Sequence, residues 1–444
     1  MTRLFVNCLL IAGLAIPASG AELTLQDALR AAVTDRPTVK EAQALASAAA
    51  ATISEARSGW LPHLTVSELY TRTDEPANSL FLALNQERNV MADPTYDLVD
   101  PDDKDDFETR LQLTQTLYDP TVNFGLRRAR TAGKAAAASA AWSAEEAAFA
   151  AFAAYLDVQQ AEAALAWVES SRQEATEITR LAGERRQAGT GLKADELRAT
   201  VQLAEAKRRA LAARNDLTLA RRRLALAIGQ PGGEVAIAAP LDEKSFPATP
   251  EPIGGQRADL QALSLQVEAA GLAVSRSQAE WLPRLGLTAH YAWHDEETPL
   301  GTDAESWAVG AGLYWELFDG LRRSAATARA AAEQRAAAAK LDDARREQVF
   351  RLAEARLRAE EARLQRESAL AAVVAAEESR RLLQQRFETG LADLADLLAA
   401  QNALDRARYD AVNAESRHLL ALGNIQFQAG CFVQTFLPGE EIPR

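Results

Sequence analysis

The pattern Trp-Leu-Pro-x-Leu occurs twice in this chain, in EARSGWLPHL at residues 55–64 and in RSQAEWLPRL at residues 276–285. Each copy closes an alanine-rich stretch of helical composition, and the residue before a proline disfavours helical geometry. Each copy is followed by residues that alternate between apolar and polar, which is the period of a strand. The pattern therefore predicts two points at which a helix ends and a strand begins.

Both copies belong to a longer internal repeat. Residues 36–64 align with residues 257–285 without a gap, and two further motifs recur downstream in the same order. These motifs are LTQTLYDP at 113–120 with GLYWELFDG at 312–320, and AGTGLKADEL at 188–197 with ETGLADLADLL at 388–398. The order predicts a duplicated unit. The chain after the first 21 residues would then consist of a first repeat at 22–230, a linker at 231–256, a second repeat at 257–430 and a C-terminal tail at 431–444.

The first 21 residues predict export as a cleaved signal peptide. Arg3 supplies the positive charge, residues 4–16 are mostly apolar, and residues 17–21 offer small side chains for cleavage. Beyond residue 21 no run of 18 apolar residues follows, so a transmembrane helix is not predicted. An exported chain of this kind can enter a membrane only as a closed barrel, which indicates the outer membrane.

Charge and motif content exclude several functional classes. The formal net charge of −13 argues against a nucleic-acid-binding protein, and Cys8 and Cys431 cannot form a disulfide framework. We find no nucleophile and base at motif spacing, no metal-binding motif and no phosphate-binding glycine loop, so neither an enzyme nor a bound cofactor is predicted. His290 and His294 share one face of a predicted strand, where a polar lining is expected in preference to a metal site.

The spacing of prolines predicts long helices, because none occurs in 121–230 or in 300–437. Helices are expected at 120–188 and 320–388, each about 100 Å long at 1.5 Å per residue. Shorter helices are expected at 37–59, 192–229, 258–281 and 392–429. Two short helices in series nearly match the length of one long helix, so they can pack antiparallel to it.

Alternation predicts four strands, at 63–73, 107–117, 285–293 and 307–317. Their lengths suit a tilted crossing of a bilayer, although a soluble sandwich with one wet face is the alternative. Aromatic residues near the strand ends are expected at the membrane interfaces, namely Trp60, Trp281, Trp293, Trp307 and Trp315. Four strands cannot close a barrel, so several chains must share one. Two chains would give 8 strands and three would give 12, and the strand count alone does not decide between them.

In this order, the motifs resemble the TolC-type outer-membrane efflux protein family, the outer membrane factors of tripartite efflux and secretion systems. The resemblance covers nearly the whole mature chain and includes TLQDALRAAVTDRP at 24–37. It implies a mainly α protein with membrane β-structure. In such a homotrimer, four strands per chain form a 12-strand transmembrane β-barrel joined to a long α-helical coiled-coil barrel. Residues 231–256 and the tail would form a belt around the helices.

The resemblance also implies functional positions at the two helix turns. The adaptor-docking tip corresponds to Gly189, Thr190, Gly191, Leu192, Gly390, Leu391 and Ala392. The periplasmic gate corresponds to Asp195, Asp393, Asp396 and Phe387. The chain departs from the family pattern where a further aspartate is replaced by Ala399 and where a latching arginine and tyrosine are replaced by Ala392 and Phe387.

The function implied is a passive exit duct in the outer membrane that extends into the periplasm. Small molecules would arrive from an inner-membrane pump, of RND or ABC type, through a periplasmic adaptor protein, and the entrance would open by an iris-like movement of helices. An exit duct for type I protein secretion is the nearer alternative. A non-conducting coiled-coil scaffold that spans the periplasm is the more remote one.

Overall fold

The structure is a computed structural model that describes residues 22–88, 92, 96–230, 232–246 and 257–439. The predicted signal peptide, much of the predicted linker and the end of the predicted tail lie outside these residues. The chain divides into two compact units. We call Met1–Lys40, Ser143–Gly255 and Gln348–Pro443 the helical unit, and Glu41–Trp142 with Gln256–Glu347 the strand unit.

The six predicted helices are confirmed to within two residues at each end. The helices are α1 (Leu25–Asp35), α2 (Pro37–Ser58), α3 (Pro76–Asn85), α4 (Pro120–Gln187), α5 (Lys193–Ala227), α6 (Ala258–Ala279), α7 (Arg322–Glu388), α8 (Leu394–Ala429) and α9 (Phe432–Phe436). Three of these, α1, α3 and α9, were not predicted as separate helices. Each is short and is held by contacts with distant parts of the chain.

Aspartates in the repeated LYDP and LFDG motifs cap the two long helices. The Asp119 carboxylate accepts a hydrogen bond from the Thr121 backbone N–H at 2.8 Å, beside Pro120 in the first turn of α4. The Asp319 carboxylate accepts from both the backbone N–H and the side-chain Nε of Arg323, each at 2.9 Å. The first N–H groups of a helix have no intrahelical acceptor, so these carboxylates fix where each long helix begins.

The strands form one antiparallel sheet in the order β1-β2-β3-β4. They are β1 (His63–Thr73), β2 (Lys104–Tyr118), β3 (Arg284–Asp295) and β4 (Ala304–Tyr314). The predicted bounds hold for β1. Strand β2 begins three residues earlier than the predicted 107–117, β3 extends the predicted 285–293 by one and two residues, and β4 lies three residues earlier than 307–317. Tyr314 pairs with Arg284, and the preceding Pro283 has no N–H to extend the ladder. Trp315 therefore leaves the strand.

The register of the sheet separates an apolar face from a polar face. The apolar face carries Leu64, Val66, Tyr70, Phe107, Leu111, Leu113, Leu287, Tyr291, Trp293, Trp307, Val309 and Leu313. Polar residues on the same face lie mostly toward the end of the sheet where β1 and β3 finish, namely Glu68, Arg72, Asp105, Thr109, Asp295 and Glu305, with Gln115 toward the other end. The polar face carries Thr65, Ser67, Thr71, Asp106, Glu108, Arg110, Gln112, Thr114, Thr288, His290, His294 and Ser306. The alternation is that of a sheet with lipid on one side and water on the other.

The core of the helical unit is an aromatic cluster that includes the described part of the C-terminal tail. Phe152 of α4 and Phe432 of α9 are fully buried, with ring centroids 5.3 Å apart. Gly423 of α8 permits this packing, because a Cβ there would lie 2.4 Å from the Phe152 ring. The Glu145 carboxylate accepts a hydrogen bond from the Val433 N–H at 3.0 Å and so caps α9. Burial raises the pKa of Glu145 to about 7.

Candidate functional site

The first helix turn depends on two glycines for different reasons. Gly189 has a φ of +74°, which favours glycine, and follows the end of α4. Gly191 lies so close to the preceding turn that a Cβ would be 2.9 Å from the Cβ of Arg185. The N–H groups of Thr190 and Gly191 both donate to the Arg185 carbonyl at 3.0 Å. Leu192 then begins α5 and leaves most of its side chain in solvent.

The second turn repeats this design with a stronger cap. Gly390 has a φ of +79°, and the Leu391 N–H donates to the Arg386 carbonyl at 2.8 Å. The Asp393 carboxylate accepts from the Asp396 backbone N–H at 2.8 Å and so caps α8. Leu391 is 79% exposed, so each turn presents one leucine beside small residues. Ala392, the residue between Leu391 and the cap, is half-buried.

A small apolar cluster lies beneath both turns and joins the two helices that end there, α4 and α7, to the two that begin there, α5 and α8. Its buried members are Ile178 and Ala182 of α4, Ala199 of α5, Phe387 of α7, and Leu394 and Leu397 of α8. Phe387, a predicted gate residue, therefore lies in the packing of its own chain. Its assignment to the gate stays a prediction, but the ring contacts this cluster.

Arg185 connects the two turns directly. Its guanidinium lies 4.0 Å from the centroid of the Phe387 ring, a cation–π distance. The same group donates to the carbonyls of Phe387 at 2.7 Å and Glu388 at 3.2 Å. These carbonyls belong to the last turn of α7, where no intrahelical donor is available and a positive charge is favoured. Sequence reasoning missed Arg185, because its partners lie about 200 residues away.

The acidic residues at the turns are not equivalent. Asp195 is half-buried in the first turn of α5, where the Arg198 guanidinium lies 3.6 Å from its carboxylate. Asp393 is engaged as a helix cap, whereas Asp396 is exposed. The neighbouring Glu196 is held by Lys193 at 2.6 Å, which lowers its pKa. Asp393 and Asp396 are both exposed, but of the three predicted gate aspartates only Asp396 has a carboxylate without a partner among the described residues, and the gate assignment itself stays a prediction.

A buried polar network joins the same four helices farther from the turns. Asp405 of α8 is 3% exposed and accepts hydrogen bonds from Ser171 of α4 at 2.8 Å, Arg209 of α5 at 3.1 Å and Gln401 at 3.0 Å. Gln401 in turn accepts from Arg380 of α7 at 3.1 Å. One carboxylate thus organises contacts among α4, α5, α7 and α8. Nothing in the sequence near Asp405 marked it as a junction.

The predicted interface tryptophans occupy both ends of the sheet. Trp60 and Trp281 precede β1 and β3, and the Nε1 of Trp315, just after β4, donates to the Trp281 carbonyl at 3.0 Å. Trp293 and Trp307 lie toward the opposite end, on the apolar face. This distribution fits two aromatic belts, and their contact with a membrane stays a prediction.

Within the described parts of the chain, no group of three or more His, Cys, Asp or Glu side chains is arranged to hold a metal ion. None of the helices in these parts is both long and apolar enough to cross a membrane.

Comparison with solved structures finds the same fold in bacterial outer-membrane proteins. The outer membrane protein VceC of Vibrio cholerae is 18% identical, with a TM-score of 0.75 over 91% of this chain and 96% of that one. The CmeC outer membrane channel of Campylobacter jejuni is 16% identical, with a TM-score of 0.78 over 94% and 87% of the two chains. The MtrE outer membrane channel of Neisseria gonorrhoeae, solved in an open state, is 17% identical, with a TM-score of 0.75 over 91% and 88%.

Comparison with curated protein sequences finds no match. The family described as outer membrane efflux protein matches residues 28–230 and 253–430, and so takes in both repeats. By this match over most of its length, the chain belongs to the outer membrane efflux protein family.

Proposed function

We propose that this protein is the passive outer-membrane exit duct of a tripartite efflux system. The observation that carries the proposal is the sheet, with one face apolar and bounded by tryptophans and the other face polar. Such a sheet suits lipid on one side and a water-filled passage on the other. Both outer strands lack a partner along their outer edges in the described chain, and an open edge is not stable in lipid.

We further propose that three copies close one barrel of 12 strands. The two edge strands, β1 and β4, have the same length of 11 residues. Their directions in the sheet would make β4 of one copy antiparallel to β1 of the next, which continues the order of the sheet. The family resemblance, rather than the strand count, favours three copies over two.

The helix turns would form the periplasmic tip where an adaptor protein docks. Support comes from the exposed leucines, Leu192 and Leu391, each flanked by glycine or alanine that leaves room for a partner helix. The pump would be an inner-membrane transporter of RND or ABC type. The protein itself would supply no energy, since its residues suit a passage rather than catalysis.

The entrance would be narrowed by a ring of Asp396 carboxylates, with Asp195 nearby. Opening would separate α7 and α8 from α4 and α5. The contacts that oppose this separation within one chain include those of Arg185 and Asp405. Because the arginine and tyrosine of the family latch are replaced here, we propose that these two residues hold the closed state.

A photo-cross-link from the tip tests the proposal. A photoreactive residue at Thr190, which is exposed, would be irradiated in living cells, and the captured partners identified by mass spectrometry. The same substitution at Glu297, in the exposed β3–β4 connection, serves as the control that must not capture a periplasmic protein.

An adaptor that co-purifies with a proton-driven pump is the expected result. An adaptor with an ATP-driven exporter of proteins would favour the secretion alternative. If no adaptor of either kind is captured, and the purified oligomer forms no pores in a lipid bilayer, the proposed duct is refuted. The non-conducting scaffold would then replace it as the proposal.

A further inference from the structure

Helix α3 covers the polar face of the sheet at one end. Its buried residues Ser79, Ala83 and Gln86 recur at helical spacing and face the sheet. Beneath them Asp106 of β2 and His294 of β3 are 2% and 3% exposed, although both belong to the polar face. Farther along this face, Thr288 is exposed. The helix is therefore what removes these two polar residues from solvent.

Polar contacts fix the position of α3. The Gln86 side-chain amide donates to the Asp106 carboxylate at 3.0 Å and to the Asp105 carbonyl at 2.8 Å. The same carboxylate lies 3.1 and 3.3 Å from Nδ1 of His294. The Ser79 hydroxyl donates to the Thr73 carbonyl at 3.2 Å. A buried carboxylate that loses such partners is left unsatisfied, so these contacts resist displacement of the helix.

The opposite side of α3 is apolar and has no cover within the described chain. Ala77, Phe81 and Leu84 share that side, and the phenylalanine and leucine are 62% and 44% exposed. They project away from the polar face of the sheet. If this face lines a passage, as the proposed function requires, they project into its mouth. There, the same residues of the other two copies would face them across the mouth.

The dimensions agree with closure of the mouth. A barrel of 12 strands spaced about 4.8 Å and tilted about 40° has a radius of roughly 12 Å. Three helices of about 10 Å diameter placed side by side fill a circle of roughly 11 Å radius. The barrel radius runs to the strand backbones, so the space left inside by the strand side chains is smaller still, and three copies of α3 at the mouth would leave almost no open cross-section.

We infer that α3 is a lid inside the extracellular mouth, that Phe81 forms its central constriction, and that Gln86, Asp106 and His294 are the residues that position it. The inference rests on the proposed duct. It assigns to the exit end a barrier that a solute must displace, separate from the entrance at the helix turns.

Thiol labelling from outside intact cells tests the lid independently of the periplasmic entrance. In a Cys431→Ser background, Thr288→Cys reports from the polar face, about 20 Å along β3 from His294 at 3.3 Å per residue. Glu297→Cys reports from the exposed β3–β4 connection. Each thiol is treated with a small charged methanethiosulfonate and with a maleimide that carries a short polyethylene glycol chain.

With α3 intact, we expect the bulky reagent to reach position 297 readily and position 288 slowly. His294→Ala or Asp106→Ala should accelerate bulky labelling at 288 by about 5- to 100-fold, the factor expected when a buried polar partner is lost. Phe81→Ala should accelerate it without loosening the helix. His290→Ala, a matched change on the same face and strand, should leave the rate at the level of the unaltered protein.

The outcomes separate the lid from the duct. The lid is overturned if the bulky reagent labels position 288 equally fast in all variants, or in none of them. Labelling at position 297 would in either case still support the outer-membrane location. Failure of both reagents at 297 overturns the duct itself. Because misfolding would slow small-reagent labelling or deplete the protein from the outer membrane, the ratio of bulky to small labelling identifies a change in access.

Discussion

The buried carboxylate of Asp405 offers the sharpest test of how the four helices are held together. Asp405→Ala removes three hydrogen bonds at 2.8, 3.0 and 3.1 Å, which join α8 to α4 and α5 and tie Gln401 into the network. Hydrogen bonds to charged groups contribute about 1.5–3 kcal/mol, and breaking a fully buried ion pair costs about 3–5 kcal/mol. Arg209 retains contact with solvent and with Glu205, so the pair is not fully buried and its loss should cost less than about 3–5 kcal/mol. We expect a loss of about 2–3 kcal/mol in the local opening free energy.

Hydrogen exchange followed by mass spectrometry measures this quantity without reversible unfolding of the whole assembly. A loss of 2–3 kcal/mol accelerates exchange from locally opened states by about 30- to 150-fold. The effect should appear in peptides that cover residues 168–182 of α4 and 397–409 of α8. Peptides from the four strands provide an internal reference and should exchange at an unchanged rate.

Asp410→Ala is the matched control, on the same helix and only five residues away. Its carboxylate is exposed and lies 4.0 Å from Arg406, an i,i+4 pair worth at most about 0.5 kcal/mol. It should barely alter exchange. If Asp405→Ala and Asp410→Ala behave alike in the α4 and α8 peptides, Asp405 does not hold the helices together, and its place in the closed state must be abandoned.

Three other perturbations address the turns, the entrance and the tail. Arg185→Ala should lower the local opening free energy of residues 385–391 by about 1–2 kcal/mol, because it removes the Phe387 contact and two hydrogen bonds. Hydrogen exchange in these residues should rise more than in Arg186→Ala, a change at the exposed neighbour. Asp396→Arg should reduce the cation-to-anion permeability ratio of reconstituted channels by roughly tenfold, because a charge ring shifts the local potential by several kT. An unchanged reversal potential in a salt gradient would show that Asp396 is not part of the gate. Burial raises the pKa of Glu145 from 4.5 to about 7, so folding takes up a proton between these values, and stability falls by about 3 kcal/mol as the pH rises from 4.5 to 7. Thermal inactivation at a series of pH values should show this decline in the unaltered protein and a flatter profile in Glu145→Gln; identical profiles would contradict the raised pKa of Glu145.

Long-range periodicity made most of the architecture predictable from the sequence. Prolines delimit α4 and α7, and the repeated aspartates mark where each begins, so their ends follow from local chemistry. The strands were also predictable from a local pattern, because their apolar and polar side chains alternate. The end of β4 was predicted too late, because apolar residues continue to alternate through Leu317. Strand pairing stops earlier because Pro283 ends the partner strand, and alternation alone carries no information about a partner.

The missed elements depend on contacts that no local pattern encodes. Helix α3 lies within a stretch that reads as a loop, and its stability comes from the burial of Ser79, Ala83 and Gln86 against strands. Arg185 and Asp405 read as ordinary charges on helix surfaces. Their partners are about 200 residues away, and only the duplicated fold brings α4 and α5 next to α7 and α8.

The predicted gate residues show that a family correspondence identifies a position in the sequence, whereas the contacts of each side chain decide what it can do there. Asp393 caps α8 and Asp396 lies in its first turn, three residues apart, and either could supply a charged ring. Yet the Asp393 carboxylate accepts the Asp396 N–H and serves the helix, so its charge is already partnered by the positive helix terminus. Asp396 makes that cap possible with its backbone and leaves its own carboxylate exposed. Phe387 differs again, since its ring lies in the apolar cluster beneath Arg185. Neighbouring residues at this turn therefore make different contacts. A test of the proposed charge ring therefore belongs at Asp396, whereas a test of the proposed closed state belongs at Arg185, whose guanidinium contacts the Phe387 ring.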